Sequence, residues 1–220
     1  MTKAEAVIFD MDGTLYTFPE NKTFGQSPFG QDIQQNARQF IAEEFGLSAE
    51  AADQRYAELQ AEYAGETSIG IERAYGVDRM RFFESTWNLD PEKYITPAVG
   101  LREALEQIDA ERIVLSAAPR VWVRRALGYM GVADLFGERV FTGEPDIRKP
   151  NPEVFRQIIG AYGFAAARVV SVGDQEYSDI LPAREVGLQT VRIGSGETAA
   201  DILATDVIDA IRQLRERGVA

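Results

Sequence analysis

Two aspartates, Asp10 and Asp12, stand one residue apart directly after the apolar run Ala6–Phe9. Carboxylates are poor strand formers and costly to bury, so the pair marks a surface turn, a metal site, or a nucleophile beside its proton shuttle. Other polar groups close later apolar runs. Ser116 follows Ile113–Leu115, Gly173 and Asp174 follow Val169–Val172 with Asp179 five positions on, and Lys149 stands just ahead of Pro150. A carboxylate can attack phosphorus to form an aspartyl-phosphate, which divides one hard displacement into two easier ones. A second carboxyl nearby can protonate the departing oxygen and later take a proton from water. Magnesium prefers one or two carboxylates together with water and substrate phosphate, a demand that Asp10 and Asp174 could meet. Ser116 and backbone amides could hydrogen-bond the phosphoryl oxygens while Lys149 offsets the crowd of negative charge. Taken singly, each feature has a plainer explanation. An Asp-x-Asp pair is most often a turn, a strand-end serine a helix cap, a lone lysine solvated surface, and Gly173-Asp174 a βα turn. Their combined order and placement are what favour chemistry.

Those groups must be positioned by strands and helices, and the chain shows both in alternation. Short runs rich in Val, Ile and Phe at Ala6–Phe9, Arg112–Leu115, Arg139–Phe141, Val169–Val172 and Thr190–Ile193 read as strands covered on both faces. Helical patterns lie between them at Leu101–Ile108, Val121–Met130, Pro152–Tyr162, Asp179–Val186 and Val207–Arg217. This order predicts an α/β layered domain with a mainly parallel sheet. In such sheets ligands gather beyond the carboxyl ends of the strands, where the polar groups above would converge. From Thr17 to Pro97 no strand is predicted. Ile33, Ala37, Phe40, Ile41 and Phe45 recur at helical spacing, as do Ala52, Tyr56, Leu59 and Tyr63 after a Ser48 cap. Two shorter helical patterns follow at Ile69–Tyr75 and Arg79–Trp87, and Phe18–Gly30 reads as a hinge. The expectation is a catalytic core of residues 1–16 and 98–220, interrupted by an all-helical insertion over 17–97.

Composition narrows the chemistry. The 220 residues contain no cysteine and no histidine, which excludes disulfides, thiolate or imidazole ligands, and any Ser-His or Cys-His pair. A formal net charge of −12 argues against a nucleic-acid partner, since no basic stripe is present to neutralise phosphates. No apolar run approaches membrane-spanning length, and the opening MTKAEAVIF lacks the apolar stretch of a signal peptide. A cytoplasmic protein with no membrane partner is expected; the sequence does not set its oligomeric state.

Asp10-Met11-Asp12-Gly13-Thr14-Leu15 resembles the first signature of the haloacid dehalogenase-like hydrolase superfamily. Its three other signatures appear in order, as Ile113–Ser116, Lys149-Pro150, and Gly173-Asp174 with Asp179. The resemblance implies a Rossmann-like three-layer core with a helical cap inserted after the first strand. It further implies Asp10 as nucleophile and Asp12 as general acid/base, with Ser116 and Lys149 completing the catalytic set. Thr14, Ser116, Ala117 and Lys149 would contact substrate. Magnesium would be held by Asp10, the Asp12 backbone carbonyl and Asp174, with Asp179 in support. An acid at position 12 favours a phosphatase over the dehalogenase branch, while the core motifs are compatible with a mutase. Gly65–Ile71, Asn88-Leu89-Asp90 and Pro97 ahead of Leu101-Arg102 are similar to the cap of pyrimidine 5′-nucleotidase-like members. The chain departs from that group with Ala117 where Asn is usual, and with Gly173 where a double Asp is frequent. Phe18, Phe24, Tyr63 and Tyr75 could stack on a base, though packing is the commoner role of such rings. The expected activity is a magnesium-dependent phosphatase for a small phosphorylated metabolite, with nucleoside monophosphates ahead of phosphoglycolate and sugar phosphates. The alternatives are a catalytically weak scaffolding protein and a sugar-phosphate mutase.

Overall fold

A computed structural model describes residues 3–18 and 24–219. In chain order the elements begin with β1 (Ala6–Phe9) and β2 (Tyr16–Thr17). Four helices follow: α1 (Pro28–Phe45), α2 (Ala49–Glu62), α3 (Thr67–Tyr75) and α4 (Arg79–Trp87). The chain then passes through β3 (Thr96–Pro97), α5 (Leu101–Glu106), β4 (Glu111–Leu115), α6 (Arg120–Tyr129), α7 (Ala133–Phe136) and β5 (Val140–Phe141). It ends with α8 (Glu153–Tyr162), β6 (Val169–Gly173), α9 (Leu181–Val186), β7 (Gln189–Ile193), β8 (Ile202–Ala204) and α10 (Val207–Glu216). Two compact units result, Met1–Thr17 with Ile95–Ala220, and Phe18–Tyr94.

The first unit is built on a six-stranded sheet in the order β5-β4-β1-β6-β7-β8, every pairing parallel. A parallel sheet covered on both faces needs strands apolar on both sides, and β1 is buried along its whole length. Ala6 and Ile8 join Ile113, Leu115 and Val169 beneath Val154, Phe155 and Ile158 of α8. Each such aliphatic side chain contributes about 1.5–3 kcal/mol on leaving water. On β1, Phe9 meets Phe136 of α7 edge-on at 6.3 Å. The register aligns Phe9 with Val114 on β4 and Val172 on β6, so the polar residues that follow all emerge at one edge.

The sheet holds one strand more than the patterning predicts. β8 is three residues long with Leu203 exposed in its middle, too brief to leave a period. A second surprise lies at the ends of the segment read as strand-free, where Tyr16–Thr17 pairs antiparallel with Thr96–Pro97. The helix predicted from Asp179 instead starts at Leu181, after a π-helical turn over Glu176–Ile180. α7, only four residues, was not predicted.

The second unit is entirely helical among the described residues. Ser27 caps α1 by accepting the Gly30 amide at 3.1 Å, with Pro28 at the first helical position. Pro28 and Gly30 therefore open a helix rather than belong to a hinge, and residues 19–23 of that expected hinge lie outside the described residues. Ser48 caps α2 as its spacing predicts. The apolar stripe of α1 packs Phe40 edge-on against Phe82 of α4 at 5.3 Å. Three of the four rings considered for base stacking are packed within this unit. Phe18 stacks on Phe29, Tyr75 lies against Phe45, and Tyr63 covers Gly70. The side chain of Phe24 lies outside the described residues. Among the described residues no helix is long and apolar enough to cross a membrane.

Candidate active site

Asp10 is the first residue beyond β1, and its amide still donates to Val172 of β6 at 2.9 Å. Lys149 Nζ reaches Asp10 Oδ1 at 2.5 Å and Asp179 Oδ1 at 2.7 Å, and all three side chains are almost fully buried. The Lys149-Pro150 peptide is cis. The wide turn after β6 explains how Asp179 gets there. It folds back so that Asp179 Oδ2 accepts the Gln175 amide at 3.0 Å, while the Asp179 carbonyl accepts Ser171 Oγ at 3.0 Å. Asp179 then presses on Gly173 so closely that a β-carbon there would collide with its carboxylate.

Asp12 is turned by a second tight segment. Thr14 and Leu15 donate to the Met11 carbonyl at 3.2 and 3.0 Å, and Gly13 donates to Tyr16 at 3.1 Å. Gly13 has φ +90°, and a β-carbon on it would lie 2.5 Å from Asp174 Oδ2. Only glycine meets both demands, the left-handed backbone and the close approach. Turned in this way, Asp12 Oδ2 accepts the Ser116 hydroxyl at 3.0 Å, and Ser116 Oγ in turn accepts the Ala118 amide at 3.0 Å. Asp12 Oδ1 accepts Trp122 Nε1 at 3.2 Å and the Tyr16 hydroxyl. Tyr16 and Trp122 escaped the sequence reading because both look like core aromatics. Their only sequence signal is position, four residues after Asp12 and six after Ser116.

Four carboxylates and one ammonium share this edge, and their ionisation reflects it. Burial lifts Asp10 well above the usual carboxylate range; Lys149 opposes the rise and Asp179 adds to it. Burial also raises Asp12, against the hydrogen bonds from Tyr16, Ser116 and Trp122 that lower it. Asp174 is pushed up to about 7 by burial, then by the charge of Asp179. For Lys149, burial pulls downward, but the paired Asp10 and Asp179 outweigh it and hold the amine above its ordinary value.

The arrangement suits a hard divalent cation. Oxygens of Asp10, Asp174 and Asp179 lie within 4.8 Å of one another. Asp10 Oδ2 and Asp174 Oδ1 are buried without a hydrogen-bond partner, as oxygens awaiting a ligand would be. Asp179 is less open, since Lys149 and the Gln175 amide already engage its two oxygens. The Asp12 carboxylate stands outside this group, which leaves its backbone carbonyl as the expected contact. Thr14 is buried with its hydroxyl unpartnered, while its amide closes the turn. Ala117 is exposed beyond Ser116, and its carbonyl lies so near Gly143 that a β-carbon there would clash.

Residues 4–187 match the haloacid dehalogenase-like hydrolase family. The chain is 27% identical to a glyceraldehyde 3-phosphate phosphatase of Methanopyrus kandleri, covering 88% of this chain and 85% of the relative. It is 26% identical to a phosphoglycolate phosphatase of Rhodospirillum rubrum, covering 96% and 89%. Its fold is similar to that of a HAD phosphatase from Thermococcus onnurineus, with a TM-score of 0.65 at 21% identity over 98% of this chain and 97% of that one. Taken with the match over 4–187, the chain belongs to the haloacid dehalogenase-like hydrolases.

Proposed function

We propose that the protein is a magnesium-dependent phosphatase that hydrolyses a small phosphomonoester through an aspartyl-phosphate on Asp10. The observation that carries this reading is the pairing of two differently held carboxylates at one strand edge. Asp10 is fixed by Lys149 through Oδ1 with Oδ2 left unpartnered, and Asp12 is turned onto Ser116 by the Gly13 turn. In the first half-reaction an Asp10 oxygen bonds to phosphorus as the ester P–O bond breaks, and the proton of Asp12 goes to the departing alkoxide. In the second, water bonds to phosphorus and gives a proton to Asp12 as the Asp10–phosphorus bond breaks, which releases phosphate and restores both acids. Lys149 holds Asp10 in place and offsets its charge, and the Thr14 hydroxyl and the strand end at Ser116 and Ala117 are assigned to the phosphoryl oxygens. Asp10, Asp174 and the Asp12 carbonyl are the assigned ligands of the cation, with Asp179 in support. When bound, magnesium supplies positive charge against the phosphoryl oxygens.

Substrates of the size of phosphoglycolate and glyceraldehyde 3-phosphate are favoured by the names of the relatives that match along most of the chain. A nucleoside monophosphate finds less support, because Phe18 and Tyr75 each already pack against another ring. The test is phosphate release from these three substrate classes and from p-nitrophenyl phosphate, with magnesium and with EDTA. Release that needs magnesium and disappears in Asp10→Asn is expected. Undiminished release by purified Asp10→Asn would overturn the nucleophile assignment.

A further inference from the structure

The donors around Asp12 divide its two oxygens unequally. Oδ1 receives Trp122 Nε1 at 3.2 Å and the Tyr16 hydroxyl, whereas Oδ2 receives the Ser116 hydroxyl at 3.0 Å and no other donor among the described residues. An indole N–H can only donate. The same N–H lies 3.1 Å from the Tyr16 oxygen, so that oxygen accepts and the single phenolic proton is directed to Asp12. Both aromatic side chains are buried, Trp122 at 0% and Tyr16 at 1% exposure, so neither is free to swing away. Trp122 also packs edge-on to Tyr16 at 6.5 Å, which fixes the pair as a unit. Ser116 differs, because its hydroxyl proton can rotate about the Cβ–Oγ bond.

We infer that Tyr16 and Trp122 are positioning residues that anchor the Asp12 carboxylate through Oδ1 and reserve Oδ2 as the oxygen that gives and takes the proton. This rests on the reading of Asp12 as the general acid/base. When Oδ2 carries the proton, Oδ1 keeps both donors. The Ser116 hydroxyl, already accepting from Ala118, is released from Oδ2 and can donate to a phosphoryl oxygen. When the proton has gone to the departing alkoxide, Ser116 returns to the carboxylate. Ser116 thus holds the charged acid and the bound phosphate by turns, with no proton created or lost.

The consequence is a selective dependence on the leaving group. Nitrophenolate departs without a proton, whereas the alkoxide from benzyl phosphate needs one at bond cleavage. The experiment compares kcat/KM on p-nitrophenyl phosphate and benzyl phosphate for Tyr16→Phe, Trp122→Phe and the double variant. Tyr16→Phe preserves the ring and removes only the hydroxyl. The benzyl rate should fall roughly tenfold further than the nitrophenyl rate, part of the hundredfold or more that a general acid supplies. Phe136→Leu, a packing change in the same unit that removes no donor, should lower both rates alike. Equal losses on both substrates in Tyr16→Phe, or the same selectivity in Phe136→Leu, would overturn the inference. Failure of the underlying phosphatase reading looks different: the wild type releases no phosphate from either ester, or Asp10→Asn still does.

Discussion

The two units treat charge differently. In the α/β unit Asp10, Lys149 and Asp179 are buried together, with two ion pairs at 2.5 and 2.7 Å. In the helical unit several ion pairs sit at the surface, such as Arg38 with Asp53 at 3.3 Å and Arg81 with Glu44, while the one buried arginine among the described residues there, Arg79, lies over the Phe83 ring. There an open groove of about 1050 Å³ lies along α1 and α2, lined by Gln31, Arg38, Asp53, Tyr56 and Gln60, and contains no carboxylate pair. Desolvating several charges costs more than their attraction returns unless geometry and hydrogen bonding are favourable, so such a cluster in one unit points to chemistry rather than to folding. Surface pairs carry no such message, being worth little to stability and common on any helix.

Substitutions can break this contrast. The largest effect should come from Asp10→Asn, which removes the carboxylate proposed to attack and is expected to lower kcat by about 10⁴-fold or more, read as phosphate release. Next, Lys149→Met leaves Asp10 and Asp179 facing each other without their cation. Loss of about 3–5 kcal/mol is expected in urea unfolding without divalent ions. Gly13→Ala forces a β-carbon against Asp174 at a backbone φ of +90°. A cost of about 1–3 kcal/mol should appear in the same assay, together with weaker magnesium binding by calorimetry.

A smaller effect follows from Asp174. Its folded value of about 7 lies above the ordinary carboxylate value, so between the two the unfolded chain has released a proton that the folded protein keeps. Stability of the metal-free protein should therefore fall as pH rises from about 4 to about 7, then level off. Asp10 and Asp12, also raised, add in the same sense. Melting temperatures in EDTA should be lower at pH 7.5 than at pH 5; the slope should flatten in Asp174→Asn and shrink with magnesium, which binds the deprotonated form. The smallest change belongs to the other unit: Asp53→Asn should alter stability by under about 1 kcal/mol, and a larger loss would undo the contrast.

Much of the sheet was legible because β1 is apolar throughout and β4, β6 and β7 each carry buried Val, Ile or Leu, so burial writes itself into residue type. The strand edge was legible for the same reason, since Asp10, Ser116 and Asp174 interrupt or follow those runs. What stayed hidden depends on pairing at long range or on very short elements. Trp122 meets Asp12 from 110 positions away, and Tyr16, though only four residues from Asp12, reads as core. The π-helical turn that brings Asp179 onto Lys149 breaks the helical period to which its residues were assigned. Pro28 and Gly30, residues that usually punctuate loops, instead open α1 behind the Ser27 cap.

The position of β1 in the sheet has a consequence for how such an enzyme fails. β1 has a neighbour on each side, while the rims are β5 and β8, two and three residues long. Thermal fraying will begin at those rims and move inward, and amide exchange should be slowest along Ala6–Phe9. The proposed nucleophile is thus mounted next to the last strand to let go, and inactivation by mild heat should begin in the loops around Asp10 before it reaches that strand.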